Sequence, residues 1–155
     1  MIELSDVLSP GGVVLDLKAS SKRQVLRVLA ERVAEAQGLE PGPVLEALLE
    51  REKLGTTGIG DRLAIPHAKL EGLDHLVGVF ARLQTPVSFD ALDDEPVDLV
   101  FLLLAPTGAA AEHLKALARV ARIFRDDQLC EALRRASNPS VAFDLLTGRR
   151  EPRAA

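Results

Sequence analysis

The stretch Arg51–Lys69, REKLGTTGIGDRLAIPHAK, sets one histidine at the end of a short apolar run, behind a glycine-rich loop and within reach of an arginine. Pro66 has no backbone N–H and pushes Ile65 towards an extended conformation, so His67 is presented from stiff backbone. An unperturbed histidine titrates at about 6.5. Its neutral ring is therefore a nucleophile near pH 7, and phosphorus is an electrophile it can attack reversibly. The same pattern also suits a half-buried histidine that does no more than make a hydrogen bond. Arg51 offers a planar guanidinium fork able to bind two phosphoryl oxygens at once, or else a solvated cation at a helix end. In the loop, Thr56, Thr57 and Gly58 can give hydroxyl and backbone donors to an incoming phosphate or form a plain tight turn. His113 falls near the start of the helix after Pro106, where unpaired N–H groups favour an anion; by itself it reads as a first-turn surface residue. His75 follows Asp74 in a polar turn and is expected to be exposed.

Several chemistries lack their residues. The loop has the order G-x-x-G-x-G, follows a helical pattern and enters a strand, so it is neither a dinucleotide fingerprint nor a nucleotide P-loop. No HExxH, cysteine pair or close histidine pair suggests a metal, and no G-x-S-x-G elbow suggests a serine hydrolase, so neither a metal nor a cofactor is expected. The single Cys130 has no partner for an internal disulfide and is best placed as a small buried residue. A net charge of −4, scattered basic residues and the lack of tyrosine and tryptophan argue against nucleic acid as a ligand. No apolar run is long enough to span a bilayer, and MIELSDVLSP does not resemble a secretory signal, so a cytoplasmic protein without membrane insertion is expected.

The elements that must position these residues follow from periodicity. Ile2–Leu8 suits a short helical turn, and Val13–Leu17 a strand separated from it by Gly11 and Gly12. Ser20 or Ser21 can cap a helix to Gln37 that buries Leu26, Leu29, Ala30 and Val33 and ends at Gly38. A second helix opens at Pro41 or Pro43, with Leu45, Leu48 and Leu49 inward and Arg51 in its last turn. Strands are expected at Leu63–Ala68, Leu76–Leu83 and Val97–Leu104, the last nearly all apolar and so central. Thr85–Pro96 is a turn-rich connection with Phe89 and Leu92 as core anchors. A helix after Pro106 carries Leu114, Leu117, Ala118, Ala121 and Phe124 on one face, and two more helices cover about Asp127–Ala136 and Ser140–Leu146. With 155 residues, 47% hydrophobic and 27% charged, one packed core is enough. The expectation is a single α/β domain over residues 1–147, a mixed sheet flanked by helices on both faces, then a disordered tail over 148–155.

The segments LGTTGIGDRLAIPHAKL, VGVFARLQTPVSFDALDDEPVDLVFLLLAP and EHLKALARVARIFRD together resemble the IIA components of the phosphoenolpyruvate-dependent phosphotransferase system, mannitol and fructose class. The likeness spans about residues 2–147, and with VVLDLKASSKRQVL near the start it is greatest to the nitrogen-regulatory branch. The resemblance implies that His67 accepts a phosphoryl group on Nε2 from a histidine phosphocarrier protein, with His113 the second active-site histidine and Arg51 the arginine beside the group. It implies no metal in that step, and a phosphorylation state read by regulatory protein targets. One departure is Ala68, where related chains often have glycine, which bears on the flexibility of the chain after His67. Ile59 and Leu63 are expected as exposed apolar contributors to docking. Two other functions remain open: a sugar-specific IIA subunit that passes phosphate to a IIB domain, and a docking module that never takes phosphate.

Overall fold

The computed structural model describes residues 3–148, beginning with a 3-10 turn at Leu4–Asp6. Strand β1, Leu8–Leu17, follows at once. It starts earlier than its β-branched residues indicate, so Gly11 and Gly12 lie inside the strand and do not separate it from the turn. Gly12 suits that place because a Cβ there would stand 3.1 Å from the Gly78 carbonyl oxygen. Helix α1, Lys22–Gln37, begins where the Ser21 hydroxyl accepts from the Gln24 N–H and ends at Gly38 in the left-handed region, φ 69°. Leu26, Leu29, Ala30 and Val33 are buried along it as expected. In α2, Pro41–Lys53, proline fills the first position, where a missing N–H costs nothing. Its buried line is Val44 and Leu48, whereas Leu45 and Leu49 are only half-buried.

The glycine-rich segment is partly a strand. β2, Gly58–Gly60, pairs antiparallel with β3, Leu63–Ala64. The single strand expected over 63–68 is broken in two at Ile65 and Pro66, and β4 resumes at His67–Leu70. Proline has no N–H for a sheet ladder, so the break falls at this residue. The Pro66 carbonyl still accepts from Leu103 N–H at 2.9 Å, which keeps the two pieces on one neighbour. β5, Val77–Val87, outlasts its expected end at Leu83, and β6 covers Val97–Pro106. Between them Phe89 is fully buried, but Leu92 is 99% exposed and anchors nothing.

The order is β1-β5-β6-β3-β2, with β4 also on β6. β1 runs parallel to β5, β5 antiparallel to β6, and β3 and β4 parallel to β6, which makes the sheet mixed. β6 is paired on both sides, and Leu99–Ala105 are all fully buried, in keeping with a strand covered on both faces. Alternate residues serve alternate layers. Phe80, Leu99, Phe101 and Leu103 point to one core, and Val79, Ala81, Val100, Leu102 and Leu104 to the other. The second layer is closed by α1 and α2.

The first layer is closed by α3, Ala110–Phe124, α4, Asp127–Arg135, and α5, Pro139–Leu146. Asp126 and Asn138 side chains cap α4 and α5. The stripe of α3 against the sheet is His113, Ala116, Val120 and Phe124, one position before the expected 114/117/121 line, and Leu114 is 69% exposed. Apolar spacing sets the period of a helix but not its phase when two neighbouring stripes are both largely apolar. Two arginines tie this layer down. Arg82 of β5 donates to the Leu133, Arg134 and Ala136 carbonyls at the end of α4, and Arg134 grips Asp98 at 2.9 and 3.0 Å. Among the described residues no helix is long and apolar enough to cross a membrane. The tail expected over 148–155 lies outside the described residues apart from Gly148, as does Ile2 of the expected first turn.

Gly78 pairs with both Leu8 and Leu103 in the sheet, and a Cβ there would lie 2.8 Å from Cε1 of the fully buried Phe101. Gly78→Ala is therefore expected to destabilise the fold by about 1–3 kcal/mol through overpacking. Urea denaturation should show a lower midpoint with an unchanged slope.

Candidate functional site

Arg51 projects from the last turn of α2, His67 opens β4, and His113 sits in the first turns of α3; folding brings all three to one groove. Arg51 is doubly held. Its Nη1 donates to the Gly55 carbonyl at 2.9 Å and its Nε donates to His67 Nε2 at 3.2 Å. Across the ring, His67 Nδ1 lies 2.9 Å from the Ile65 carbonyl oxygen. A carbonyl only accepts, so that contact needs the proton on Nδ1, and the Arg51 Nε–H needs a lone pair on Nε2. Both neighbours select the same tautomer, with Nε2 as the nucleophilic nitrogen facing the groove.

The His113 ring stands edge-on to His67, 5.6 Å between centroids and 74° between planes. Its expected place on the surface is overturned: His113 is only 5% exposed, because its turn of α3 is packed against the sheet. Its Nε2 is buried and has no hydrogen-bond partner among the described residues, which is uncommon in a folded protein and fits a group whose partner arrives from outside. Around the histidines the groove encloses about 710 Å³ and is walled by Leu54, Ala110, Leu114 and Leu117. Leu54 and Leu114 are 84% and 69% exposed, a pair of large apolar side chains at its rim. Of the two apolar contributors expected from sequence, Ile59 is exposed, whereas Leu63 is buried because β3 packs it into the core. Ala68 belongs to β4 in regular pairing with Leu104, so the chain after His67 is a strand and not a free loop.

The loop residues face elsewhere than their hydroxyls alone suggest. Thr56 donates to the Phe89 carbonyl and accepts from Gly58 N–H at 3.0 Å. Thr57 is 4% exposed, with its hydroxyl and N–H both on the Glu52 carboxylate. Gly58 is closely packed, since a Cβ there would meet Ala91 and Phe89 side chains at 3.1 and 3.2 Å. Glu52 was not singled out by sequence, where it is one more acid at a helix end; its only signal is that it adjoins Arg51. His75 is exposed beside Asp74 as expected.

A family model described as "Phosphoenolpyruvate-dependent sugar phosphotransferase system, EIIA 2" matches residues 6–148, which takes in all three residues of the groove. The chain belongs to this EIIA 2 family. Within it the chain is similar to proteins of the nitrogen-regulatory branch. It is 48% identical over 143 residues to the nitrogen regulatory protein of Bradyrhizobium diazoefficiens, covering 92% of this chain and 94% of that one. To the nitrogen regulatory protein of Escherichia coli it is 42% identical over 148 residues, 94% and 90% of the two chains. The crystal structure of nitrogen regulatory protein IIA-Ntr from Neisseria meningitidis superposes with a TM-score of 0.88 at 35% identity, over 93% of this chain and 99% of that one. The mixed α/β fold of this EIIA 2 chain is thus the fold of its relatives.

Burial pulls the His67 pKa below its ordinary 6.5; the bond to Ile65 opposes this, the Arg51 guanidinium adds to it and Glu52 opposes it. His113 is also lowered, by burial first and then by His67 and Lys69. Both rings are therefore neutral at pH 7. Because the unfolded chain binds these protons more readily, their contribution to stability is intact above pH 6.5 and falls away as pH drops below it. Histidine NMR titration should give midpoints below 6.5 for both rings, and thermal stability should decline on acidification less steeply in His113→Ala than in the unsubstituted chain.

Proposed function

We propose that this chain carries phosphorus on His67 Nε2, taking it from a histidine phosphocarrier protein, and that its phosphorylation state is read by regulatory protein targets. The observation that carries this reading is the hydrogen bond from Nδ1 to the Ile65 carbonyl, which leaves Nε2 unprotonated in an open groove beside a guanidinium. In-line attack forms a bond from Nε2 to phosphorus as the donor's bond to phosphorus breaks, so no proton has to leave the acceptor first. Phosphoryl transfer depends chiefly on positioning and charge stabilisation. Arg51 then exchanges the ring lone pair for phosphoryl oxygens, and the unpartnered Nε2 of His113, in the tautomer that carries its proton there, donates to the same group. The loop of Thr56, Thr57 and Gly58 supports the site from behind through its contacts to Glu52 and the Phe89 segment.

Similarity to nitrogen regulatory proteins over nearly the whole chain favours a regulatory role over a sugar-specific subunit. Added negative charge between Leu54 and Leu114 changes what the groove can bind, which makes phosphorylation legible to a partner. Incubation with phosphoenolpyruvate, the first enzyme of the system and its carrier protein should add the mass of one phosphoryl group, in an acid-labile linkage. His67→Ala should take none. His113→Ala should still be labelled, but by roughly 10²-fold more slowly, the scale expected when one preorganised donor is lost. Absence of label on the unsubstituted chain would leave only a docking role.

A further inference from the structure

The ring nitrogen that His67 exposes is selected by Arg51 and by one carbonyl, and that carbonyl is itself held by a chain of contacts reaching back to α2. Ile65 C=O accepts from His67 Nδ1 at 2.9 Å, and Ile65 N–H donates to the Thr57 carbonyl at 2.9 Å. Thr57 is in turn held twice by Glu52: its N–H donates to Oε1 at 3.2 Å and its hydroxyl donates to Oε2. Glu52 is 7% exposed at its side chain and makes a 3.3 Å ion pair with Lys22, whose Nζ also lies 3.1 Å from Asp90. A buried carboxylate is costly unless paired and hydrogen-bonded, and here it has Lys22 and both Thr57 donors. Its neighbour Arg51 holds Nε2 from the other side. Two successive residues of α2 thus govern the two nitrogens of one imidazole, Arg51 directly and Glu52 through Thr57 and Ile65.

We infer that Glu52 and Thr57 are positioning residues for His67, fixing the Ile65 peptide so that the ring is held with its proton on Nδ1 and Nε2 free. Neither touches the groove. This rests on the phosphoryl-acceptor reading for its purpose, but not for its geometry. Without the Thr57 hydroxyl, one oxygen of Glu52 loses its donor and Thr57 is tied to Glu52 by its amide alone. The Ile65 carbonyl then no longer selects one orientation of the ring, and an Nε2–H tautomer, which cannot attack phosphorus, becomes populated.

The test is nitrogen-15 NMR of the His67 ring in the full chain, combined with phosphoryl transfer from the phosphorylated carrier. The unsubstituted chain and Thr57→Ser should show the Nδ1–H tautomer. Thr57→Val should show a mixture and a transfer rate lower by about tenfold, within the ~10²-fold that a small misplacement of reacting groups can cost. The carrier concentration for half-maximal rate should not move, because the groove rim is untouched. If Thr57→Val does not fold, Glu52→Ala takes its place; it removes both acceptors of Thr57 together with the ion pair to Lys22, and should shift both readouts in the same direction. A folded variant with the tautomer and rate of the unsubstituted chain overturns the inference. The tautomer is read without any phosphate donor, so failure of the unsubstituted chain to accept phosphate would overturn the proposed function and leave this inference decided by NMR alone.

Discussion

The hydrogen bond between His67 Nδ1 and the carbonyl two residues before it is the constraint on which the site depends. It exists because the chain is neither a continuous strand nor a loop there. Ile65 and Pro66 interrupt the pairing of one edge of β6, and proline makes the interruption permanent by having no N–H to offer the ladder. A backbone carbonyl freed from the sheet turns to the side chain. The rest of the fold serves to keep this corner still: β6 holds Pro66 and His67 from one side, α2 holds the ring from another, and α3 closes over it with His113.

Burial and charge act together on the two histidines. Each is withdrawn from water enough to favour its neutral form, and each has a cation near it that pushes the same way, Arg51 for His67 and Lys69 for His113. Neutrality near pH 7 is what a nucleophilic ring needs. Among the described residues His113 Nε2 has no hydrogen-bond partner, a cost that a polar ligand in the groove would remove. The apolar rim formed by Leu54 and Leu114 fits the same logic, since a partner seated there would displace water from the two histidines.

What could be read from the residue order was whatever depends on near neighbours. Ser21 and Gly38 bound α1, Pro41 opens α2, and the apolar run from Val97 lies at the centre of the sheet, since a strand with no polar residue from Leu99 to Ala105 tolerates burial on both faces. His67, its proline and Arg51 stand out within one short segment. What could not be read depends on partners distant along the chain. The inward turn of His113, the burial of Leu63 and the exposure of Leu92 and Leu114 follow from which layer each element meets. The roles of Arg82 and Arg134 require a helix end and a strand aspartate brought together from afar, and Thr57 reads as an ordinary turn residue only until Glu52 is placed beneath it. Gly11 and Gly12 misled for a related reason: as turn formers they suggest a boundary, but the close passage of Gly78 explains why one of them is kept inside β1.

Two of the outer strands of the sheet share one property. β2 is three residues long and ends at Gly60 with φ 91°, and β1 breaks register with β5 at two places, with Asp16 at φ 56° near its end. Neither offers a straight, evenly spaced row of amides and carbonyls for another copy to extend. Growth of the sheet from molecule to molecule is thereby frustrated along these two strands, which keeps their backbone from becoming adhesive.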